Sequence, residues 1–334
     1  MISEQIAPPY YPISKYYATR FGEKVYKIPV TVADDCPNRR GLRGMQTCVF
    51  CDEWGSAANK DSRKFDLRTQ IEQIKAQLEK KYHARKFLVY FQAYTNTFLK
   101  LQVIRDYYET ALSYPDVVGL VIGTRPDCLS KAVFETWNSF ADRTPVFVEF
   151  GVQTFNDEQL DFLRRGHTAK QSIDAILTTK REANVNIGIH LMFGLPGETD
   201  EQMIETAKLC AELPIDNVKL HNLHVLKNTP LAEMYARGEF KPADFETYSR
   251  RVRIFLQHLP ARIAVHRLGA VASRWDELIA PEWTRYKMQT FQEIVAEMRT
   301  FGAFQGQFSK PSGGQDLEQS DRNRNEQFEQ PSFI

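Results

Sequence analysis

Seven short apolar runs, rich in β-branched and aromatic residues, recur along the 334-residue chain. They are KVYKIPVTV (24–32), KFLVYFQ (86–92), VVGLVIG (117–123), PVFVEFGVQ (145–153), NIGIHLM (186–192), NVKLHNLHVL (217–226) and RIAVHRL (262–268). Runs that stay apolar rather than alternating mark strands covered on both faces. Between them lie segments of helical period: in DLRTQIEQIKAQLEKKY, the apolar positions Leu67, Ile71, Ile74 and Leu78 make one helix face. Strands joined by helices are parallel neighbours, because the crossover returns the chain to the same end of the sheet. The expected fold is therefore α/β, a partial (β/α)6-type TIM barrel. A doubly wound open sheet is the alternative, and the barrel is favoured.

Around that barrel the sequence divides into four parts. Residues 1–23 read as an N-terminal extension and 24–270 as the partial barrel. Residues 271–302 read as a C-terminal helical segment, with a helix from about Pro281 to Phe301 that presents Phe291, Ile294, Val295 and Met298 on one face. Residues 303–334 are rich in Gln, Ser, Asn and charge and poor in aliphatics, which predicts a disordered polar tail. Lys plus Arg number 43 against 42 acidic residues, so the whole molecule has no bulk attraction for nucleic acid or a membrane; any such contact must be a local patch. No apolar run has signal-peptide or membrane-span length, and five cysteines with three crowded together do not suggest a disulfide framework. A reducing cytoplasm and no membrane partner are expected.

Barrel chemistry sits on the loops after the strands, and the unusual residues lie there. The first such loop, DDCPNRRGLRGMQTCVFCDEW (34–54), carries Cys36, Cys48 and Cys51. Structural zinc wants four ligands in a closed tetrahedron, and the nearest further donors, His83 and Cys128, belong to other βα units. A [4Fe–4S] cluster is ordinarily held by four cysteines; with three, one iron keeps an open position for a ligand. Inert thiols and zinc stay open as alternatives, but the place directly after the first strand favours a reactive cluster. Later loops bring QAYTNTF, GTRPDC, QTFNDEQLDFLRRGHT, FGLPGET and KLHNLHVLKNTP to the same face.

The stretch CPNRRGLRGMQTCVFC resembles the cluster loop of radical S-adenosylmethionine (SAM) enzymes. Its C-x11-C-x2-C spacing, with Phe50 before the last cysteine, is similar to the YhcC-type subgroup of predicted Fe–S oxidoreductases rather than to the usual C-x3-C-x2-C. That subgroup is related to the catalytic subunit of the Elongator complex. GEKVYKI, IGTRPDCL, EFGVQTF, RRGHT, GLPGET, KLHNLHVLKNTPLA and LIAPEW agree with it, over about residues 15 to 300. The resemblance implies Cys36, Cys48 and Cys51 as ligands of a [4Fe–4S] cluster, with S-adenosyl-L-methionine on the remaining iron. It implies reductive cleavage to a 5′-deoxyadenosyl radical, fed by an electron donor of flavodoxin or ferredoxin type.

The resemblance also distributes roles over the strand ends. Phe50 would lie near the adenine. Gln92 and Asn96 stand where the family usually has a Gly-Gly-Glu motif for the SAM amino group, so this chain departs from the pattern there. Arg125 would meet the SAM carboxylate; Asp127, Glu149 and Gln153 would meet the ribose or methionine moiety; Gly194 and Gly197 would let backbone approach the adenine. His190, His221 and Lys219 are the candidate catalytic residues, and the two histidines would face substrate. Each has a structural alternative: Arg125 and Asp127 can pair with each other, Glu149 can be a buried hydrogen-bonded acid, the histidines can be satisfied core residues, and the glycines can form a turn with Thr199 capping the next helix. Cys128 and Cys210 read as inert thiols. Arg164, Arg165 and His167 read as a solvated helix end or a phosphate contact, and Arg39, Arg40 and Arg43 as a solvated loop or a phosphate contact. The Elongator tie implies a tRNA substrate, at the 5-position side chain of the wobble uridine. GLPGET is also similar to the oxygen-independent coproporphyrinogen oxidase group, which implies a small acidic metabolite. A non-enzymatic zinc- or cluster-stabilised binding protein is the third reading.

Overall fold

In the computed structural model, residues 7–33, 35–52, 55, 64–270 and 276–309 are described. The strands are β1 (Val25–Val30), β2 (Lys86–Phe91), β3 (Val117–Thr124), β4 (Val146–Gln153), β5 (Asn186–Phe193), β6 (Asn217–Asn222), β7 (Val225–Leu226), β8 (Ala264–Val265) and β9 (Leu278–Ala280). Seven of them form one sheet in the order β1-β2-β3-β4-β5-β6-β8, every pair parallel. Strand order that follows chain order, with no reversal, is a section of a singly wound barrel; a doubly wound sheet would switch direction midway. β1 and β8 do not pair with each other, so the barrel stays open along one side.

The period of two decides which side chains go where. Ile28 and Val30, Phe87, Val89 and Phe91, Val146, Val148 and Phe150, Ile187, Ile189 and Leu191, and Val218 and Leu220 point outward into one large core beneath the helices. That layer includes α2 (Leu67–Tyr82), α3 (Leu101–Leu112), α4 (Lys131–Ala141), α6 (Ala169–Glu182), α7 (Asp200–Glu212) and α9 (Phe245–His258). The intervening inward residues are of two kinds. Near the strand starts, Leu88, Val121 and Phe147 close on Tyr17 of α1 (Ile13–Phe21), whose ring meets Phe147 edge-on at 5.3 Å. Toward the strand ends the inward positions are Glu149, His190, Lys219 and His221, with Lys27 and Tyr90, level in register with Leu88 and Val121, between the two sets.

Three sequence expectations change. The run 217–226 is not one strand: β6 stops at Asn222, and Val225–Leu226 pairs antiparallel with β9. Asn222 fixes the break, its Oδ1 accepting from the Ala270 amide at 2.7 Å. The C-terminal helix α10 runs Lys287–Thr300 after a short 3-10 turn, and Thr290, not Phe291, joins Ile294, Val295 and Met298 in its buried face. Phe291 is 36% exposed, while Thr290 Oγ1 donates to the Trp283 carbonyl at 2.9 Å. Residues 303–309 are packed rather than disordered: Gln305 accepts from the Tyr11 amide at 2.8 Å and donates to the Pro260 and Ile263 carbonyls at 2.9 and 2.8 Å. The remainder of the expected tail, 310–334, lies outside the described residues. The N-terminal extension is likewise integral, since α1 plugs the barrel bottom and the Val265 amide donates to the Tyr11 carbonyl at 2.8 Å. No helix among the described residues is long and apolar enough to cross a membrane.

Candidate active site

A cavity of about 450 Å³ opens at the C-terminal ends of the strands. All three loop cysteines line it, together with Phe50, Gln92, Arg125, Glu149, Gln153, His190, Lys219 and His221. The topology alone brings them together, since they come from six loops and strand ends.

The cysteine loop is held by its own backbone and by one buried amide. Asn38 donates from Nδ2 to the Gln46 and Arg164 carbonyls at 2.7 and 2.6 Å and accepts from Arg125. The Val49 amide donates to the Leu163 carbonyl, and Val49 in turn accepts from the Leu231 amide. Gly166 of RRGHT, at φ +68°, lies against the Met45 side chain, which a Cβ there would strike. Cys48 is buried and Cys36 and Cys51 are half-buried. The Cys48 thiol is pushed down to about 5: its hydrogen bond with Cys51 lowers it most, burial opposes, and the Arg165 and Arg125 charges lower it further. Arg165 Nη1 donates to Cys48 Sγ at 3.4 Å, and its Nη2 to the Gly151 carbonyl at 2.9 Å. Gly151 leaves the room for this: a Cβ there would sit 2.9 Å from Gln153 Nε2 and 3.3 Å from Arg165 Nη2. Gln153 itself has φ +72°, an uncommon backbone for a non-glycine residue and a place where functional sites store strain.

Among the described residues, no three His, Cys, Asp or Glu side chains converge on one metal-sized point, as a mononuclear zinc site requires. A [4Fe–4S] cluster spreads its thiolates over different irons. A thiol already poised as thiolate beside two guanidiniums, on a loop whose other cysteines face the same cavity, suits that second arrangement.

Deeper in the cavity Glu149 collects cations. Its Oε1 is 2.5 Å from Lys27 Nζ and 3.7 Å from His266 Nε2; its Oε2 is 2.7 Å from His190 Nε2 and 3.1 Å from Lys219 Nζ. Burial opposes ionisation of this carboxyl, but Lys219, Lys27 and His266 outweigh it and hold it well below the ordinary carboxylate range. Lys219 also donates to Tyr90 Oη at 2.9 Å. Burial and the neighbouring cations push Lys219 down to about 7, against the pull of Glu149. Burial, then Lys219, pushes His190 down to about 4, so its imidazole is neutral at physiological pH. His190 and His221 lie 5.1 Å apart ring to ring, and Arg267 Nη2 donates to His221 Nδ1 at 2.7 Å.

Several expected residues are placed elsewhere. Asn96 does not line the cavity; its amide donates to the Phe91, Ala93 and Gly123 carbonyls and so ties the β2 loop to β3. Asp127 faces away and clamps Arg125 at 2.8 and 2.9 Å, the pairing that was the structural alternative. Arg125 touches the cavity, but its remaining donors go to Asn38 and to the Arg165 carbonyl. Gly194 and Gly197 form a turn with φ +85° and +68°, the Gly194 amide donating to Glu198 Oε2 at 2.8 Å, and Thr199 caps α7. His167 is buried behind the cysteine loop, 4.0 Å from Asp127. Burial pushes the Cys128 and Cys210 thiols up to about 12, as inert thiols should be. Lys27, Tyr90 and Arg267 were not anticipated, nor was the contact of Arg165 with Cys48. For Lys27 and Tyr90 a signal was present, a charged or polar residue inside an apolar strand run; Arg267 follows β8 and carries no such signal.

The sequence matches the radical SAM superfamily over residues 31–210 and the radical SAM C-terminal domain over 215–300. It is 31% identical to the protein YhcC of Escherichia coli over 293 residues, covering 87% of this chain and 93% of YhcC. A 129-residue stretch, 37% of this chain and 23% of its relative, is 38% identical to the tRNA uridine(34) acetyltransferase of Methanocaldococcus jannaschii. Among solved structures, the archaeal Methanocaldococcus infernus Elp3 superposes with a TM-score of 0.64 at 20% identity, over 84% of this chain and 64% of that one, which supports the fold. With the cysteine loop, the open parallel barrel and these matches together, the chain belongs to the radical SAM superfamily of enzymes.

Proposed function

We propose that Cys36, Cys48 and Cys51 hold a [4Fe–4S] cluster at the rim of the cavity and that S-adenosyl-L-methionine binds beside it. The observation that carries this is the convergence of three cysteines of one loop on the cavity lined by the polar strand ends. When bound, the cluster and SAM supply reductive C–S cleavage and a 5′-deoxyadenosyl radical. The chain's own groups do the rest. The hydrogen bond from Cys51 and the charges of Arg165 and Arg125 favour the Cys48 thiolate that would ligate, and Phe50 offers an apolar wall, its ring 6.0 Å from the Arg165 guanidinium. Gln92 and Gln153 present amides that can hold the polar groups of SAM. His190, Lys219 and His221 face the inner part of the cavity, where substrate would meet the radical.

The proposed substrate is tRNA, at the 5-position side chain of the wobble uridine. Support comes from the resemblance to the tRNA uridine(34) acetyltransferase; a loop base is already unstacked and needs little energy to enter a cavity. The electron donor is proposed to be of flavodoxin or ferredoxin type. The test is anaerobic: iron and sulfide reconstitution, reduction, addition of SAM, and assay of 5′-deoxyadenosine. Its production, lost in Cys36→Ala, supports the chemistry; altered wobble nucleosides in tRNA from a deletion strain support the substrate. A protein that takes up only zinc and makes no deoxyadenosine overturns the reading.

A further inference from the structure

The inner cavity holds more positive than negative groups. Among the described residues around its floor, Glu149 is the one carboxylate, and Lys27, Lys219 and Arg267 are the cations. Lys27 takes one oxygen of Glu149 at 2.5 Å, and Lys219 shares the other, at 3.1 Å, with His190. Arg267 follows β8 and lines the cavity, and its bonds go to a backbone carbonyl (Leu220, 3.2 Å) and the His221 imidazole (2.7 Å), not to an acid. His190 and His221 are held neutral by burial and by these cations, so they add donors rather than charge. A buried guanidinium without an anion costs several kcal/mol unless something supplies one. A carboxylate matches the planar fork of an arginine and would offset one of the surplus positive charges, which number two when Lys219 is protonated.

We propose that Arg267, His221 and Lys219 form a subsite for a carboxylate carried by the substrate, with Glu149 as the positioning residue that fixes Lys219 and His190 beneath it. The inference rests on the proposed substrate end of the cavity but not on the identity of the substrate. The carboxylate can belong to a free metabolite or to a side chain on a nucleoside of tRNA. Recognition would anchor one end of the substrate on the cavity floor and leave its other end toward the cysteine rim.

The test uses the full chain reconstituted with iron and sulfide, and acetate as the probe, observed by saturation-transfer NMR with methylammonium and inorganic phosphate alongside. Acetate is expected to bind in preference to both, to weaken about tenfold or more in R267Q, and to recover in part in R267K. SAM affinity and iron content are expected to stay unchanged in these variants. Should R267Q not fold, K219Q, which leaves Lys27 and His190 on Glu149, carries the same measurement. Equal acetate binding in wild type and variants, a preference for phosphate, or a matching loss of SAM affinity (which would make the floor a cofactor contact) overturns the proposal. Competition by total tRNA assigns the carboxylate to a tRNA side chain; its absence assigns it to a small metabolite. A wild type that binds acetate in this way yet makes no 5′-deoxyadenosine leaves the subsite standing and removes the radical reading instead.

Discussion

The two ends of the barrel interior are built from the same strands and differ in almost every property. At the bottom, Leu88, Val121 and Phe147 pack on Tyr17 of α1, and the nearby charges, Arg20 over Phe147 and Lys27 over Tyr17, both at 5.6 Å, lie against ring faces. At the top, Glu149, two residues beyond Phe147 on β4, faces a cavity together with His190 of β5 and Lys219 of β6. The strand period puts both sets inward; only distance along the strand separates a plug from a site. At the bottom the inward positions go mostly to apolar burial, whereas at the top they form a charged network whose desolvation costs stability.

The largest effect is expected at the rim. Cys48→Ala is predicted to abolish cluster iron and all deoxyadenosine formation while circular dichroism and the melting transition stay near wild type; full iron content in that variant would remove Cys48 from the ligand set. Glu149→Gln leaves Lys27 and Lys219 buried without their anion, and a loss of about 3–5 kcal/mol in denaturant unfolding is expected. Little change would mean that the lysines find water, and that the top resembles a surface more than a core. Phe147→Ala, at the bottom, is expected to cost about 3–4 kcal/mol yet leave the iron bound per folded molecule unaltered. If iron falls with it, the two ends are not separable.

Smaller effects sharpen the boundary between loop and site. Gly166→Ala forces a Cβ into Met45 at positive φ and is expected to cost about 1–3 kcal/mol, with incomplete reconstitution because the cysteine loop must shift. In metal-free protein the Cys48–Cys51 pair is expected to begin ionising near pH 5, read by ultraviolet thiolate absorbance. Arg165→Gln should raise that midpoint by about one unit, close to 1.4 kcal/mol. The linked stability has a fixed sign: the folded thiol sits below its ordinary value of 9.0, so this contribution is full above that value and disappears as pH falls through about 5. A midpoint that does not move in Arg165→Gln would leave the Cys51 hydrogen bond as the cause.

The comparison also shows why the floor was harder to read than the rim. Cys36, Cys48 and Cys51 stand out because three cysteines on one loop are rare. Glu149, His190, Lys219 and His221 were visible as polar residues inside strand runs. Lys27 has the same pattern on the edge strand β1, and Arg267 follows the edge strand β8, so the neighbours of each across the barrel are far away in sequence. Asn96, Asp127 and Gly194 are bonded to neighbouring groups of the chain, a detail not legible in the sequence because a motif fixes a residue's place in a loop but not what its polar groups meet. The run 217–226 looks continuous because apolar residues serve two partners equally well, β5 on one side and the distant β9 on the other. Phe291 and residues 303–309 exchange expected roles for a related reason: whether a face or a tail is covered depends on what folds back over it.

What the sequence determined by itself was the parallel α/β rhythm, the barrel class and the cysteine loop with its family, since each is written in local period, spacing or composition. What the tertiary structure decided was which inward side chains meet: that Lys27 of β1 reaches Glu149 of β4, that Arg165 turns to Cys48, and that Arg267 faces His221 rather than an acid. Charge pairing falls off with distance through space and not along the chain, so a network assembled from six strands is settled only when the sheet curls and brings its ends together.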